Sequence, residues 1–358
     1  MTGLAFTLGL VAIGANAGAP AASQTCGDCH GAAFEGWSVS THAAAATNPI
    51  YRAGFRAEPR QFCVDCHTST GARVEEGIAC GSCHVSREAS GPAGGHVLAL
   101  RARADLRDPA FCKDCHEFAT PAFEGGVQRM TDLPMQRTYS EWLAYRAAGG
   151  GGTCQSCHMP GGDHTMRGAH DVELLRRSLA VTASADARGA RLTLASIGVG
   201  HRFPTGDLFR HLTVEVRAAG DAGEDAWRVV DRMGRMFETR LDGATMRAYK
   251  VETADTALAP GSPRVVALPP SPGGLDWRVR YHHGSERDEK RGLVSADALF
   301  ATLAEGRLSA APGAAVGQGA SPAAAWPAFS RARSRRRRAE VSVGSRASAA
   351  LYSRSASR

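Results

Sequence analysis

After Cys157 the chain has no cysteine; all ten lie between Cys26 and Cys157 of a 358-residue sequence. Generic disulfide bracing has no reason to be confined to one stretch, so that class of explanation is excluded. Aromatic residues are scarce as well, at 6% against 43% hydrophobic residues overall. Ring side chains alone would therefore furnish a thin interior, and something else is expected to help fill it. No stretch reaches the roughly eighteen apolar residues that a membrane-spanning helix needs. The apolar run "LAFTLGLVAIG" at residues 4 to 14 is too short for that role, and the small-residue stretch "ANAGAPA" follows it. Residues 1–21 read as a signal peptide cleaved after Ala17 or Ala21, atypical in that no Lys or Arg precedes the apolar run; a buried N-terminal helix is the alternative. The mature chain is accordingly expected to be periplasmic or otherwise exported, with peripheral membrane association left open.

What the cysteines do is set by their spacing. Each belongs to a C-x-x-C-H motif: "CGDCH" at 26–30, "CVDCH" at 63–67, "CGSCH" at 80–84, "CKDCH" at 112–116 and "CQSCH" at 154–158. Two thiols three positions apart can each form a thioether to a haem vinyl group, while the adjacent histidine reaches the iron. The cofactor expectation is therefore five covalently attached haem c groups. Cys26, Cys29, Cys63, Cys66, Cys80, Cys83, Cys112, Cys115, Cys154 and Cys157 form the attachments. His30, His67, His84, His116 and His158 are the proximal iron ligands. A zinc module does not require a histidine directly after every cysteine pair, and a disulfide framework leaves all five histidines unexplained.

Thirteen histidines less these five leave His42, His96, His164, His170, His201, His211, His282 and His283 as possible sixth ligands. His42 and His96 each follow a motif histidine by twelve residues. His42 is read on a helical stretch, and the glycines before His96 allow close backbone approach to a flat macrocycle. Met130, Met135, Met159, Met166, Met233 and Met236 are alternatives that would raise a haem potential. Motifs 2 and 3 start seventeen residues apart, and that short spacing predicts that the two are spatial neighbours. Which histidine serves which iron is open from spacing alone.

The segments "WSVSTHA", "FCKDCHEF" and "MQRTYSEWLAYRAAGGGGTCQSCHMPGGDHTMRGAHD" carry a family resemblance over roughly residues 22 to 175. This part of the chain resembles exported multihaem c-type cytochromes related to the tetrahaem electron carrier of ammonia oxidisers and, more distantly, to pentahaem nitrite reductases. "GHRFPTGDLFRHLTVEV" resembles the β-rich C-terminal domain of a subset of them. The resemblance implies His42, His96, His164, His170 and His201 as distal ligands. All five motifs here end in histidine, whereas the reductases commonly carry a lysine-bearing variant at the active-site haem and surround the open iron with arginine, tyrosine and histidine. Arg137, Tyr139 and Tyr145 are candidates for such a pocket, although "QRTYSEW" at helical spacing reads better as packing against porphyrin.

The expected fold is a mainly α multihaem cytochrome domain at 22–180, with little regular structure between haems, followed by a β-sandwich-like domain at 188–305. "VELLRRSLAV" at 172–181 reads as a connecting helix. "ARLTLASIGV", "HLTVEVRAAG", "AWRVVDRMG", "PRVVALPP" and "LDWRVRYHH" alternate with period two and read as strands. Residues 310–358 read as a disordered Ala/Ser/Arg-rich tail. Its last 28 residues hold nine arginines and one glutamate, a formal +8 that leaves the rest of the +7 chain near −1. The basicity is thus local, and no recognition module points to nucleic acid.

The leading functional reading is electron transfer between a redox-protein donor and acceptor, with no catalytic residue assigned. The alternative is a haem-dependent reductase of a small nitrogen or sulfur oxyanion with one open haem. A third is a docking subunit whose β domain binds a membrane partner.

Overall fold

One turn of helix suffices to place both thiols and the histidine of a C-x-x-C-H motif on one side, because positions i, i+3 and i+4 share a helix face. The five motifs sit on or beside helices of that size in the computed structural model, which describes residues 23–57, 59–68, 76–85, 105–124, 127–186, 189–241, 248–285 and 292–309. They are α1 (Ser23–Gly27), α4 (Gln61–His67), α5 (Cys80–His84), α6 (Lys113–His116) and α8 (Cys154–His158). The first motif runs past the end of α1, and the His30 N–H donates to the Cys26 carbonyl at 2.9 Å. Three longer helices lie between them, α2 (Gly31–Ser38), α3 (Pro49–Ala57) and α7 (Thr138–Ala147), and α9 (Val172–Arg177) follows the last motif. The expected signal peptide at 1–21, the tail at 310–358 and His96 fall outside the described residues.

The motif-bearing region is less helical than expected. β1 (Glu117–Glu124) and β2 (Val127–Arg137) form an antiparallel pair within it. Proline obscured these strands in the sequence. Pro121 and Pro134 interrupt the alternation, and the ladder accommodates them at register shifts on either side of Ala119. The helix expected over 172–181 ends at Arg177, since β3 (Leu179–Asp186) takes up the chain and pairs with β4 (Gly189–Ser196) along its whole length.

Two antiparallel sheets follow. The smaller has the order β3-β4-β8, with β8 at Arg264–Ala267. The larger has the order β10-β9-β5-β6-β7, with β5 at His211–Ala218, β6 at Arg228–Leu241, β7 at Ala248–Asp255, β9 at Leu275–His282 and β10 at Phe300–Leu308. Alternation explains the buried sets: Leu192 and Leu194 on β4, and Leu212, Val214 and Val216 on β5, bury one face of each sheet. The opposite face of the central strand β5 is polar yet also buried. There Thr213 Oγ1 donates to Glu215 at 2.8 Å, and Arg278 Nε donates to the same carboxylate at 2.7 Å.

Nearly all large fully buried side chains belong to these sheets; in the described motif-bearing residues the buried apolar set is Trp37, Ala46, Ala53, Ala79 and Leu175. The two regions interlock. Arg235 of β6 donates to the carbonyls of Pro134 and Met135 at 2.6 and 2.9 Å. A short helix α10 (Ala296–Leu299) packs Leu299 with Ala53 of α3. Among the described residues no helix is long and apolar enough to cross a membrane.

Candidate haem centres

An iron shared by two imidazoles fixes their separation. With metal–nitrogen bonds of about 2.0–2.1 Å and about 1.1 Å from nitrogen to ring centre, the two centres should lie about 6.2 Å apart. Three motif histidines face a distant histidine at that spacing. His116 and His42 are 6.3 Å apart, His84 and His164 6.1 Å, and His158 and His201 6.3 Å. Their interplanar angles differ widely, at 80°, 26° and 6° respectively.

The outer nitrogens of several of these rings are already engaged. His158 Nδ1 donates to the Arg167 carbonyl at 2.6 Å, His164 Nδ1 to Gly162 at 2.8 Å, His201 Nδ1 to Arg202 at 2.8 Å, and His67 Nδ1 to Ala45 at 3.1 Å. With Nδ1 as donor, Nε2 keeps the lone pair that a metal requires. Burial favours the same neutral form. It pushes His116 and His201 down to about 4 and also lowers His42, His67 and His84.

No disulfide joins any of the ten cysteines, and those of different motifs meet. Cys26 lies against Cys80, Cys66 against Cys115, and Cys112 against Cys154, with Cys83 close to Cys112. These contacts join motif 1 to 3, and motif 4 to 2, 3 and 5. Backbone ties agree: the Cys80 N–H donates to Ser23 Oγ at 3.3 Å, and Gln155 Nε2 donates to the Leu106 and Asp108 carbonyls at 3.0 and 2.9 Å.

His201 owes its place to α7. Thr138, Glu141, Trp142 and Tyr145 share one face of that helix by their spacing, and the loop "GHRFPTG" lies on it. Glu141 accepts from the Arg202 N–H at 3.2 Å and from Thr205 Oγ1 at 2.6 Å, while Thr138 and Thr205 hydroxyls are 2.9 Å apart. Gly200 allows the close approach, since an added Cβ would lie 3.1 Å from the Tyr145 ring. From the other side Phe203 exchanges two 2.9 Å backbone hydrogen bonds with Leu258. The same helix steadies the glycine run before motif 5, with Trp142 Nε1 donating to Gly152 at 3.3 Å and Arg146 to Gly150 at 2.6 Å. One element therefore holds both His158 and His201.

The remaining candidates are distributed otherwise. His170 stacks on His283 at 4.6 Å, too close for an iron between the two rings. His30 and His67 face no histidine near 6.2 Å among the described residues; Tyr51 stacks on the His67 ring at 4.0 Å. His282 and His283 turn to different partners, as strand alternation requires: His282 stacks on His211 at 4.2 Å and meets Thr213 Oγ1 at 2.9 Å, whereas His283 meets His170. The Arg137–Tyr139–Tyr145 pocket does not form. Arg137 is taken up by Glu252 at 2.9 Å, Asp255 at 2.5 Å and Glu141 at 3.4 Å, and Tyr139 packs on Trp142. Sequence reasoning missed Glu141; the one-face spacing along α7 was the available signal for it.

Paired rings at the iron-sharing distance, Nδ1 atoms engaged by backbone carbonyls and one-sided cysteines fit haem c. Residues 15–92 match the family model described as cytochrome c7 and related cytochrome c. The structure resembles that of a penta-heme cytochrome c552 from Thermochromatium tepidum, with a TM-score of 0.54 and 20% identity over 81% of this chain and 98% of that one. No curated protein matches. The chain thus shares the fold of a multihaem cytochrome c, with a sheet-rich region of antiparallel strands.

Proposed function

We propose that the protein is an exported multihaem c-type cytochrome that passes electrons between a donor and an acceptor protein, with haem c attached at all five C-x-x-C-H motifs. The observation that carries this reading is the set of three ring pairs at 6.1–6.3 Å, each joining a motif histidine to one far away in sequence. Bound haem supplies reversible one-electron exchange at iron. The chain supplies position: imidazoles on both sides would hold coordination constant between oxidation states, and the cysteine contacts keep motifs adjacent. His42, His164 and His201 are assigned as sixth ligands to motifs 4, 3 and 5. His96 and His170 are proposed as sixth ligands from the resemblance alone: His96 lies outside the described residues, and His170 meets His283 rather than a motif histidine. The relationship to tetrahaem carriers and the periplasmic location belong to the same proposal, and the sequence "LAFTLGLVAIG" supports the latter.

A second reading, reduction of a small oxyanion at an open iron, concerns motifs 1 and 2, since among the described residues neither His30 nor His67 faces a histidine at the iron-sharing distance. Electron paramagnetic resonance of the isolated protein separates the two. Low-spin signals unaffected by nitrite, sulfite or carbon monoxide support the electron carrier; a high-spin signal that these molecules alter supports the reductase.

A further inference from the structure

A histidine ring whose Nδ1 donates to a carbonyl is aimed by that bond, because the carbonyl fixes both its tautomer and its plane. His67, His158, His164 and His201 are held in this way, by Ala45, Arg167, Gly162 and Arg202. His42 differs. Its Nδ1 is buried and has no hydrogen-bond partner among the described residues, although the ring faces His116 at 6.3 Å and 80°. The aim of this ring therefore has to come from the backbone that carries it.

That backbone is gripped by the chain entering motif 3. The Ile78 N–H donates to the His42 carbonyl at 2.8 Å, and the buried Trp37 indole donates in turn to the Ile78 carbonyl at 2.8 Å. Within the His42 segment the Ala45 N–H reaches the same His42 oxygen at 3.2 Å, and the buried Ser40 hydroxyl accepts from the Ala43 N–H at 3.1 Å. Gly77, itself buried, makes the approach possible. Its φ is +60°, and an added Cβ would lie 2.5 Å from the Ala43 carbonyl oxygen and nearer still to that of His42. Both obstacles are backbone atoms, which cannot swing aside as the far end of a side chain can.

We infer that Gly77 is a positioning residue for the haem centre of motif 4. It lets the chain entering motif 3 seat Ile78 against the His42 carbonyl, and that seat aims the His42 ring at His116. The inference rests on the reading above, in which His42 is the sixth ligand at motif 4. It couples two centres through the main chain: a residue three positions before Cys80 governs coordination at the haem of Cys112 and Cys115. Motif 3 has a ring pair of its own in His84 and His164, so the effect of Gly77 falls on a centre other than the one beside it in sequence.

The test compares electron paramagnetic resonance spectra of the full-length haem-loaded protein with those of Gly77→Ala, Gly77→Asn and His42→Ala. Nearly perpendicular rings give the motif 4 iron a strongly anisotropic low-spin signal, and His42→Ala, which removes its sixth ligand, identifies that signal by its loss. Gly77→Ala is expected to lose the same signal and gain one high-spin iron, with haem content equal to wild type and every other low-spin signal unchanged. Gly77→Asn should do likewise, because asparagine tolerates a positive φ yet still carries a Cβ. A wild-type spectrum in either Gly77 variant overturns the inference, as does loss of a different signal in place of this one. Retention of the anisotropic signal in His42→Ala overturns instead the assignment of His42 as a ligand. Should Gly77→Ala fail to load haem, Trp37→Phe, which removes the donor to the Ile78 carbonyl, is expected to weaken the same signal, and an unchanged one there overturns the inference.

Discussion

At the scale of single residues the three histidine pairs differ in a way that spectroscopy can see. Perpendicular imidazole planes leave the two iron d orbitals that face them nearly equal in energy, whereas parallel planes split them. His42 and His116 cross at 80°, so that iron is expected to give a strongly anisotropic low-spin resonance; His158 and His201, at 6°, should give a rhombic one. His201→Ala should remove the rhombic signal, produce one high-spin iron and leave every thioether in place. An unchanged spectrum would return His201 to being an ordinary loop residue. The motif histidines were legible in sequence because attachment chemistry is local: five consecutive residues contain the whole instruction. Their pairings were not, because His42 reaches His116 and His201 reaches His158 only through the fold: the count of histidines left eight candidates open, and the resemblance implied His42, His164 and His201 without a motif for each.

Elements show a second layer of legibility. Strands β4, β5, β8 and β9 were visible as period-two runs because one face of each sheet is apolar. The β1–β2 pair was hidden by Pro121 and Pro134, whose disruption is absorbed by irregular register. Helix α7 was read as packing against porphyrin, and its polar contacts to a distant loop had no local mark beyond their spacing. Glu141→Ala removes acceptors from Arg202 N–H and Thr205 Oγ1 and should cost about 1–3 kcal/mol, with a rise in high-spin content as the His201 loop loosens. Glu141→Gln, which keeps one acceptor oxygen, should show less of both. If Glu141→Ala shows neither effect, α7 does not position this loop.

In the larger sheet, hydrogen bonds from Arg278, joined by Arg280, hold Glu224 well below the usual carboxylate range, at about 2. A depressed carboxylate contributes stability above its unfolded pKa of 4.5 and loses it as pH falls towards 2. The Glu224 side chain is 71% exposed, so solvent screens much of this contribution. Glu224→Gln should therefore flatten, modestly, the acid limb of denaturation midpoints followed by circular dichroism between pH 4.5 and 2. Equal slopes in both proteins would remove Glu224 from the acid response.

The whole molecule joins a motif-bearing region with few buried side chains to sheets that contain most of the packed apolar core. Sequence composition anticipated this division, since the cysteines mark the first part and alternating apolar residues the second. The ion pairs and hydrogen bonds binding them, from Arg137, Arg235 and Arg176, were not foreseeable from either part alone. The central claim is covalent haem at every C-x-x-C-H motif, and intact mass tests it most directly. Protein isolated from a host that attaches haem c is predicted to exceed its mature polypeptide mass by five haems of about 616 Da each. A bare polypeptide mass, or one increased by fewer than five haems, would contradict the account.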